Sequence, residues 1–191
     1  MQYKMIRSQR KTLGLEIREA QVLVRAPMQA SDATVARFVE RNRAWIEKQM
    51  ALAKARLARA DAETPLSRAD ILALAERARR VIPERVAHFA SLIGVDYGRI
   101  TIRNQRSKWG SCSAKGNLNF NCLLMLAPPE VVDCIVAHEL CHRKQMNHSE
   151  AFYREVLRVF PEYHKWNSWL KQNGAVLMRR MQNGAIDREK P

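Results

Sequence analysis

No apolar run in this 191-residue chain approaches the roughly 20 residues that a membrane-spanning helix needs. The densest, Cys122 to Ala127, is far shorter. A secretory leader is also missing, because the basic start MQYKMIRSQRK is followed by no apolar core. The expectation is a cytosolic protein with no membrane association. Cysteine is sparse, and the four present (Cys112, Cys122, Cys134, Cys141) show no CxxC spacing. In a reducing compartment they read as small buried groups or free thiols. Internal repeats, low-complexity tracts and a P-loop are absent, and no carboxylate cluster of the kind Mg²⁺-phosphate chemistry prefers lies near the histidines of residues 138–148. Acidic side chains are few: 19 against 33 Lys and Arg, for a net charge of +14. Such a surplus is either a solvated surface or an attraction for polyanions. The basic residues are spread from Arg37 to Arg80 and over both ends, not run together with aromatics. That favours at most weak polyanion or nucleic-acid binding over a dedicated interface. A hydrophobic fraction of 47% in this length suits one sizeable core with a small extra lobe.

What the chain does have is concentrated in eleven residues, His138 to His148, HELCHRKQMNH. His138 and His142 are four apart, so a helix places both imidazoles on one face about one turn from each other. Glu139 adjoins the first histidine, where a carboxylate reaches a water held by an ion without binding that ion. His148 lies beyond a straight continuation of the face, and the chain must turn to bring it back. Three ligands with one open position are what a hydrolytic zinc-type site requires. The flanks agree. Pro128 and Pro129 fit a first turn, Glu130 and Asp133 favour the positive end, and Arg143 and Lys144 the negative end. Val132, Ile135, Val136 and Leu140 give a buried side. Asn147 and Ser149 are turn and capping residues, so a second helix can begin just past His148. A mixed site on Cys134, His138 and Cys141 is the rival, and it would leave Glu139 without a purpose.

Alternation at Leu13, Leu15 and Ile17, and again at Val22 and Val24, predicts strands within the first thirty residues, closed by Pro27. Ser31 is an N-cap for a helix carrying Val35, Phe38, Val39, Trp45, Ile46 and Met50, continuing with one break to about Arg59. DAETPLS reads as a linker. Ser67 with Asp70 forms a capping box for a helix in which Pro83 should kink or divide the chain, with Gly94 as its stop. Strands follow at Ile100–Ile102, at Lys108–Ser113, and at Leu118 and Phe120, with a turn at Ala114–Gly116. After Ser149 come a helix with Phe152, Val156 and Leu157 and another from about Glu162 to Gln172, stopped by Asn173-Gly174. The end, from about Asn183 to Pro191, reads as frayed. The fold class is α+β: N-terminal strands and helices, then a small antiparallel sheet packed on the HExxH helix, the layout of zinc proteases, where an edge strand pairs with extended substrate. An N-terminal strand-and-helix lobe over 1–60 and a metal-binding lobe over 61–191, together one compact domain, are expected.

The segments SKWGSCSAKGNLNFN, LAPPEVVDCIVAHELCH and NHSEAFY resemble the YgjP-like metal-dependent hydrolases, relatives of the SprT and WLM groups of zincin-like metallopeptidases. The likeness is strongest from Gln105 to Tyr153. It implies a zincin-like fold, metal binding by His138, His142 and His148, and catalysis by Glu139. The family's Trp-Arg after the residue matching Asn121 is replaced by Cys122 and Leu123, and a usual Trp by Tyr153. Some members are pyrophosphatases acting on UTP and others metallopeptidases, so the resemblance leaves the reaction open.

Three imidazoles favour zinc, with nickel, cobalt or manganese allowed by ligand type. Arg106, Lys108, Ser111, Tyr153, Tyr163 and His164 are the candidates to contact substrate or stabilise developing charge. A metallopeptidase-like hydrolase acting on peptides is the leading expectation. A nucleoside triphosphate (UTP) pyrophosphohydrolase is the alternative, and a non-catalytic nucleic-acid or protein-binding module the third. No obligate partner is implied.

Overall fold

The computed structural model describes residues 2–18 and 20–183, so the terminal stretch expected to fray lies, but for Asn183, outside the described residues. The chain forms two compact units, Met1–Ala62 and Glu63–Pro191. Both are mixtures of helix and short sheet, and the fold is α+β.

In the first unit, β1 (Lys4–Ser8), β2 (Gly14–Arg18) and β3 (Gln21–Pro27) precede α1 (Asp32–Arg41) and α2 (Arg43–Ala62). β3 is central, parallel to β1 and antiparallel to β2. Val22, Val24 and Ala26 point from it into a core closed by Val35, Val39 and Ile46. The alternation that marks a half-buried strand thus puts its apolar side on the helices. Ser31 caps α1, its hydroxyl accepting from the Thr34 N–H at 3.2 Å. The break between the helices falls at Asn42, whose side-chain amide donates to the Phe38 carbonyl at 2.7 Å.

In the second unit, α3 (Arg68–Ile93) leads to β4 (Ile100–Arg103), β5 (Gly110–Cys112), β6 (Leu118–Asn121) and a single 3-10 turn at Cys122–Leu126. Then come α4 (Pro129–Cys141), α5 (Glu150–Val159) and α6 (Tyr163–Asn183). The Ser67–Asp70 capping box is present, and Gly94 ends α3 with φ 73°. Pro83 does not divide the helix, which runs through it. An interior proline costs about 3 kcal/mol. Ile82, Val86 and Phe89, buried on both sides of it, each contribute about 1.5–3 kcal/mol, and that packing prevails.

The second sheet has the order β4-β6-β5. It is mixed and not wholly antiparallel as expected, because β6 occupies the centre, antiparallel to β5 and parallel to β4. Leu118 and Phe120 on β6 are fully buried against α3 and α4. The strand expected over Lys108–Ser113 is shorter, Gly110–Cys112. Asn173-Gly174 does not stop the last helix, which continues to Asn183. A Cβ on Gly174 would lie 3.0 Å from the Trp109 ring. Its missing side chain therefore lets the indole seat against α6, a packing role that outweighs glycine's low helix propensity. Cys122 and Leu123 are buried.

Candidate metal centre

α4 starts with Pro128 and Pro129, where absent N–H groups cost nothing, and buries Val131, Val132, Ile135 and Val136. This drives the helix into the core and carries His138 and Glu139 on its last turn. His142 follows at the C-cap. The chain then turns back, and Ser149 caps α5 by accepting from the Phe152 N–H at 3.4 Å. That reversal returns His148 to the other two histidines.

The three imidazoles converge. One nitrogen from each of His138, His142 and His148 lies within 4.8 Å of the others, and this is the candidate metal-holding group among the described residues. The Nε2 atoms of His138 and His148 are 3.1 Å apart. His142 Nδ1 is 3.0 Å from the Gln145 carbonyl. A carbonyl only accepts, so Nδ1 carries the proton and Nε2 keeps its lone pair. His138 Nδ1 is 3.0 Å from the Tyr163 hydroxyl, which can fix that ring in the same tautomer. The Phe152 ring lies 4.6–4.9 Å from all three imidazoles and forms an apolar floor. Burial, then the neighbouring His142 and His148, pushes the His138 pKa down to about 4. His142 is also lowered, chiefly by burial. Three converging imidazoles, two of them with burial favouring the neutral form, are a donor set that a divalent transition ion fits.

Glu139 is 6% exposed. Burial raises its pKa to about 7, opposed by the Cys112 N–H and the Lys108 charge. The carboxylate lies against β5 so closely that a Cβ on Gly110 would meet Oε1 at 2.7 Å. Glycine is required here by close approach, not by backbone conformation. Alternate residues of β5 face opposite ways. Gly110 and Cys112 adjoin Glu139, while the Ser111 hydroxyl accepts from the Asn119 amide at 3.3 Å on the far side.

The other candidates separate by position. Lys108 and Tyr163 line a cleft of about 260 Å³ together with His138, Glu139 and Trp109. Arg106 is exposed in the loop before β5, outside the residues that line this cleft. Tyr153 is 6.3 Å from His148 between ring centroids, and the exposed His164 is 6.5 Å from Tyr153. Both are off that cleft. Cys134 and Cys141 stay outside the histidine group, their thiols pushed up to about 12 by burial.

Three features escaped the sequence reading. Asn167, Leu170 and Lys171 also line the cleft. With Tyr163 they follow the i, i+4, i+7, i+8 stripe of one helix face, a signal that was legible. Arg143, just past the second histidine, donates to the Asp96 carboxylate at 2.8 Å, to the Asp96 carbonyl and to the Ala114 carbonyl. It clamps the β5–β6 turn to the end of α4. Gly116 accommodates the guanidinium, with φ 78° and a would-be Cβ 3.0 Å from Arg143 Cζ.

The α+β fold gathers three imidazoles and a buried carboxylate beside an edge strand, an arrangement suited to metal-dependent hydrolysis. The chain belongs to the YgjP-like family, whose metallopeptidase domain it matches over residues 11–77 and 68–173. Over 60 residues it is 33% identical to the UTP pyrophosphatase of Escherichia coli (strain K12), a stretch that is 31% of this chain and 36% of that protein. The chain thus matches about a third of the relative's length. Two metallopeptidase zymogens of known structure are similar in part: abylysin of Pyrococcus abyssi at 25% identity and jannalysin of Methanocaldococcus jannaschii at 23%. Each covers 48% of this chain and 94% of its own, with a TM-score of 0.43. Among the described residues no helix is long and apolar enough to cross a membrane.

Proposed function

We propose that the protein is a metallopeptidase-like hydrolase in which His138, His142 and His148 hold one divalent transition ion, zinc first by ligand type, and Glu139 handles the proton. The observation that carries this reading is the convergence of the three ring nitrogens within 4.8 Å, next to a carboxylate buried against an edge strand. When bound, the ion would supply Lewis-acid polarisation and lower the pKa of a water toward about 7.

Glu139 takes a proton from the attacking water at its carboxylate and returns it to the leaving group. Its carboxylate, buried against β5 at the side of the histidines, is placed to serve both halves of that transfer. Tyr163 and the Gln145 carbonyl orient His138 and His142. The edge position of β5 favours a peptide substrate. Trp109, Ser111 and Ser113 direct their backbone groups to β6, which turns those of Gly110 and Cys112 outward. Glu139 engages the Cys112 N–H, and Gly110 lines the cleft, where an extended chain could pair with it.

A second reading, hydrolysis of a nucleoside triphosphate to release pyrophosphate, is favoured by Lys108 and Lys171 on the same cleft and by the Escherichia coli relative's activity. The deciding experiment assays the metal-loaded protein and Glu139→Gln side by side on unfolded protein and on nucleoside triphosphates. Proteolysis that disappears in the variant while its metal remains is the expected result. Turnover confined to nucleotides would replace the first reading with the second.

A further inference from the structure

The opposite edge of the catalytic unit's sheet is also open. β4 pairs only with β6, in parallel register. The Leu118 N–H donates to the Arg99 carbonyl at 2.9 Å. Parallel ladders use alternate residues of each strand, so Arg99, Thr101 and Arg103 turn their backbone groups to β6, and Ile100 and Ile102 turn theirs away. Among the described residues nothing on that side hydrogen-bonds them. A cleft of about 490 Å³ follows this edge, lined by residues 99–103 and by Arg79 and Pro83 of α3. Five consecutive residues can line one cleft only if it runs along the strand's edge, since a face would present every second residue.

The cleft is basic. Arg99 has no side-chain partner among the described residues. Arg103 donates its Nε to Asn119 at 3.1 Å and keeps its terminal nitrogens. Arg79 is paired to Glu76 one helical turn back. Arginines beside an open edge discourage pairing with a second copy of the same chain, which would bring the same charges and a net +14. They attract a strand of opposite charge.

We propose that this cleft is a docking site for an acidic, extended peptide segment of a partner protein. The segment would add to β4 through the backbone groups of Ile100 and Ile102 and place carboxylates against Arg99, Arg103 and Arg79. Strand addition supplies affinity through the main chain, and the arginines supply selectivity. The site lies at the edge opposite β5 and does not depend on the identity of the hydrolysed bond.

The test uses the full metal-loaded chain and three fluorescent probes: a short peptide alternating Glu with Val or Thr, the same peptide with Lys for Glu, and single-stranded oligo-dT. Anisotropy should show binding of the acidic peptide and none of its basic counterpart. Arg99→Glu combined with Arg103→Glu should weaken that binding about tenfold or more, because two attractions become repulsions. In the unmodified protein, the amide protons of Ile100 and Ile102 should gain exchange protection when the peptide binds. Absence of binding, binding that leaves both amides unprotected, or tighter capture of the oligonucleotide than of the acidic peptide would each overturn the proposal.

Discussion

The two sheets of this protein share one topology. In each, the third strand is central, parallel to the first and antiparallel to the second. The second strand of each opens with a glycine covered by a charged side chain: Gly14 by the Arg10 guanidinium, with a would-be Cβ contact of 2.9 Å, and Gly110 by Glu139 at 2.7 Å. Only the second sheet belongs to a candidate reaction centre. Topology therefore does not select the chemistry. What differs is the partner. Arg10 is the far end of a flexible chain from a loop, whereas Glu139 is fixed on the buried last turn of α4 beside two histidines.

The sharpest break of this comparison is at the histidines. His142→Ala should abolish both metal retention and turnover, read by metal content and activity, while the far-UV circular dichroism is kept. Metal retained at full stoichiometry would remove His142 from the site. Glu139→Gln should keep the metal and lose about 10²–10⁴-fold in kcat, the usual size of a general acid–base contribution.

The paired glycines test the comparison directly. Gly110→Ala forces the Glu139 carboxylate to move, and a displacement near 1 Å at a reacting group costs about 10²-fold in rate. Gly14→Ala displaces only the end of Arg10 and should leave kcat unchanged, with a stability change within about 1 kcal/mol. Equal effects on kcat would mean that the glycine at β5 is not there for Glu139. Tyr163→Phe removes the partner of His138 Nδ1. It should weaken metal affinity about 10–100-fold, measured by competition with a chelator, with less effect on kcat at saturating metal.

Local features were legible in the sequence. Ser31, Ser67, Gly94, Pro129 and Ser149 act as caps and stops because capping depends on residues within one turn. The HExxH spacing needs only a helix, and one turn of chain returns His148. What was not legible depends on partners far along the chain. Gly174 has the local signature of a helix stop, and only Trp109, 65 positions earlier, gives it another purpose. Strand order is likewise non-local: no periodicity in Ile100–Arg103 tells that it runs parallel to β6. Tyr163, a candidate to touch substrate, lines the cleft and also places its hydroxyl 3.0 Å from His138 Nδ1, a contact that depends on the distance between α4 and α6.

The smallest effect contrasts two carboxylates, one in each unit. Glu155 on α5 accepts from Lys144 at 2.7 Å and from Arg158 at 2.7 Å and 3.2 Å, and its side chain is only 18% exposed. The hydrogen bond from Arg158, then that from Lys144, holds its pKa down from 4.5 to about 2. A folded-state pKa below the unfolded one means that the unfolded chain binds more protons in this range, so stability rises with pH. The contribution is complete above about pH 4.5 and is lost as pH falls through about 2. Because both cations are partly exposed, its net size stays near about 1 kcal/mol. Glu40 on α1 is also lowered, by Arg43, but that pair lies in open solvent one turn apart. Urea unfolding of Glu155→Gln and Glu40→Gln between pH 6 and pH 2.5 should therefore differ. The first should flatten the acid limb of stability against pH, and the second should follow the parent within error. Parallel curves for Glu155→Gln and the parent would show that the Lys144–Glu155–Arg158 cluster, despite tying α5 to the turn between the second and third histidines, adds nothing measurable to the stability of this unit.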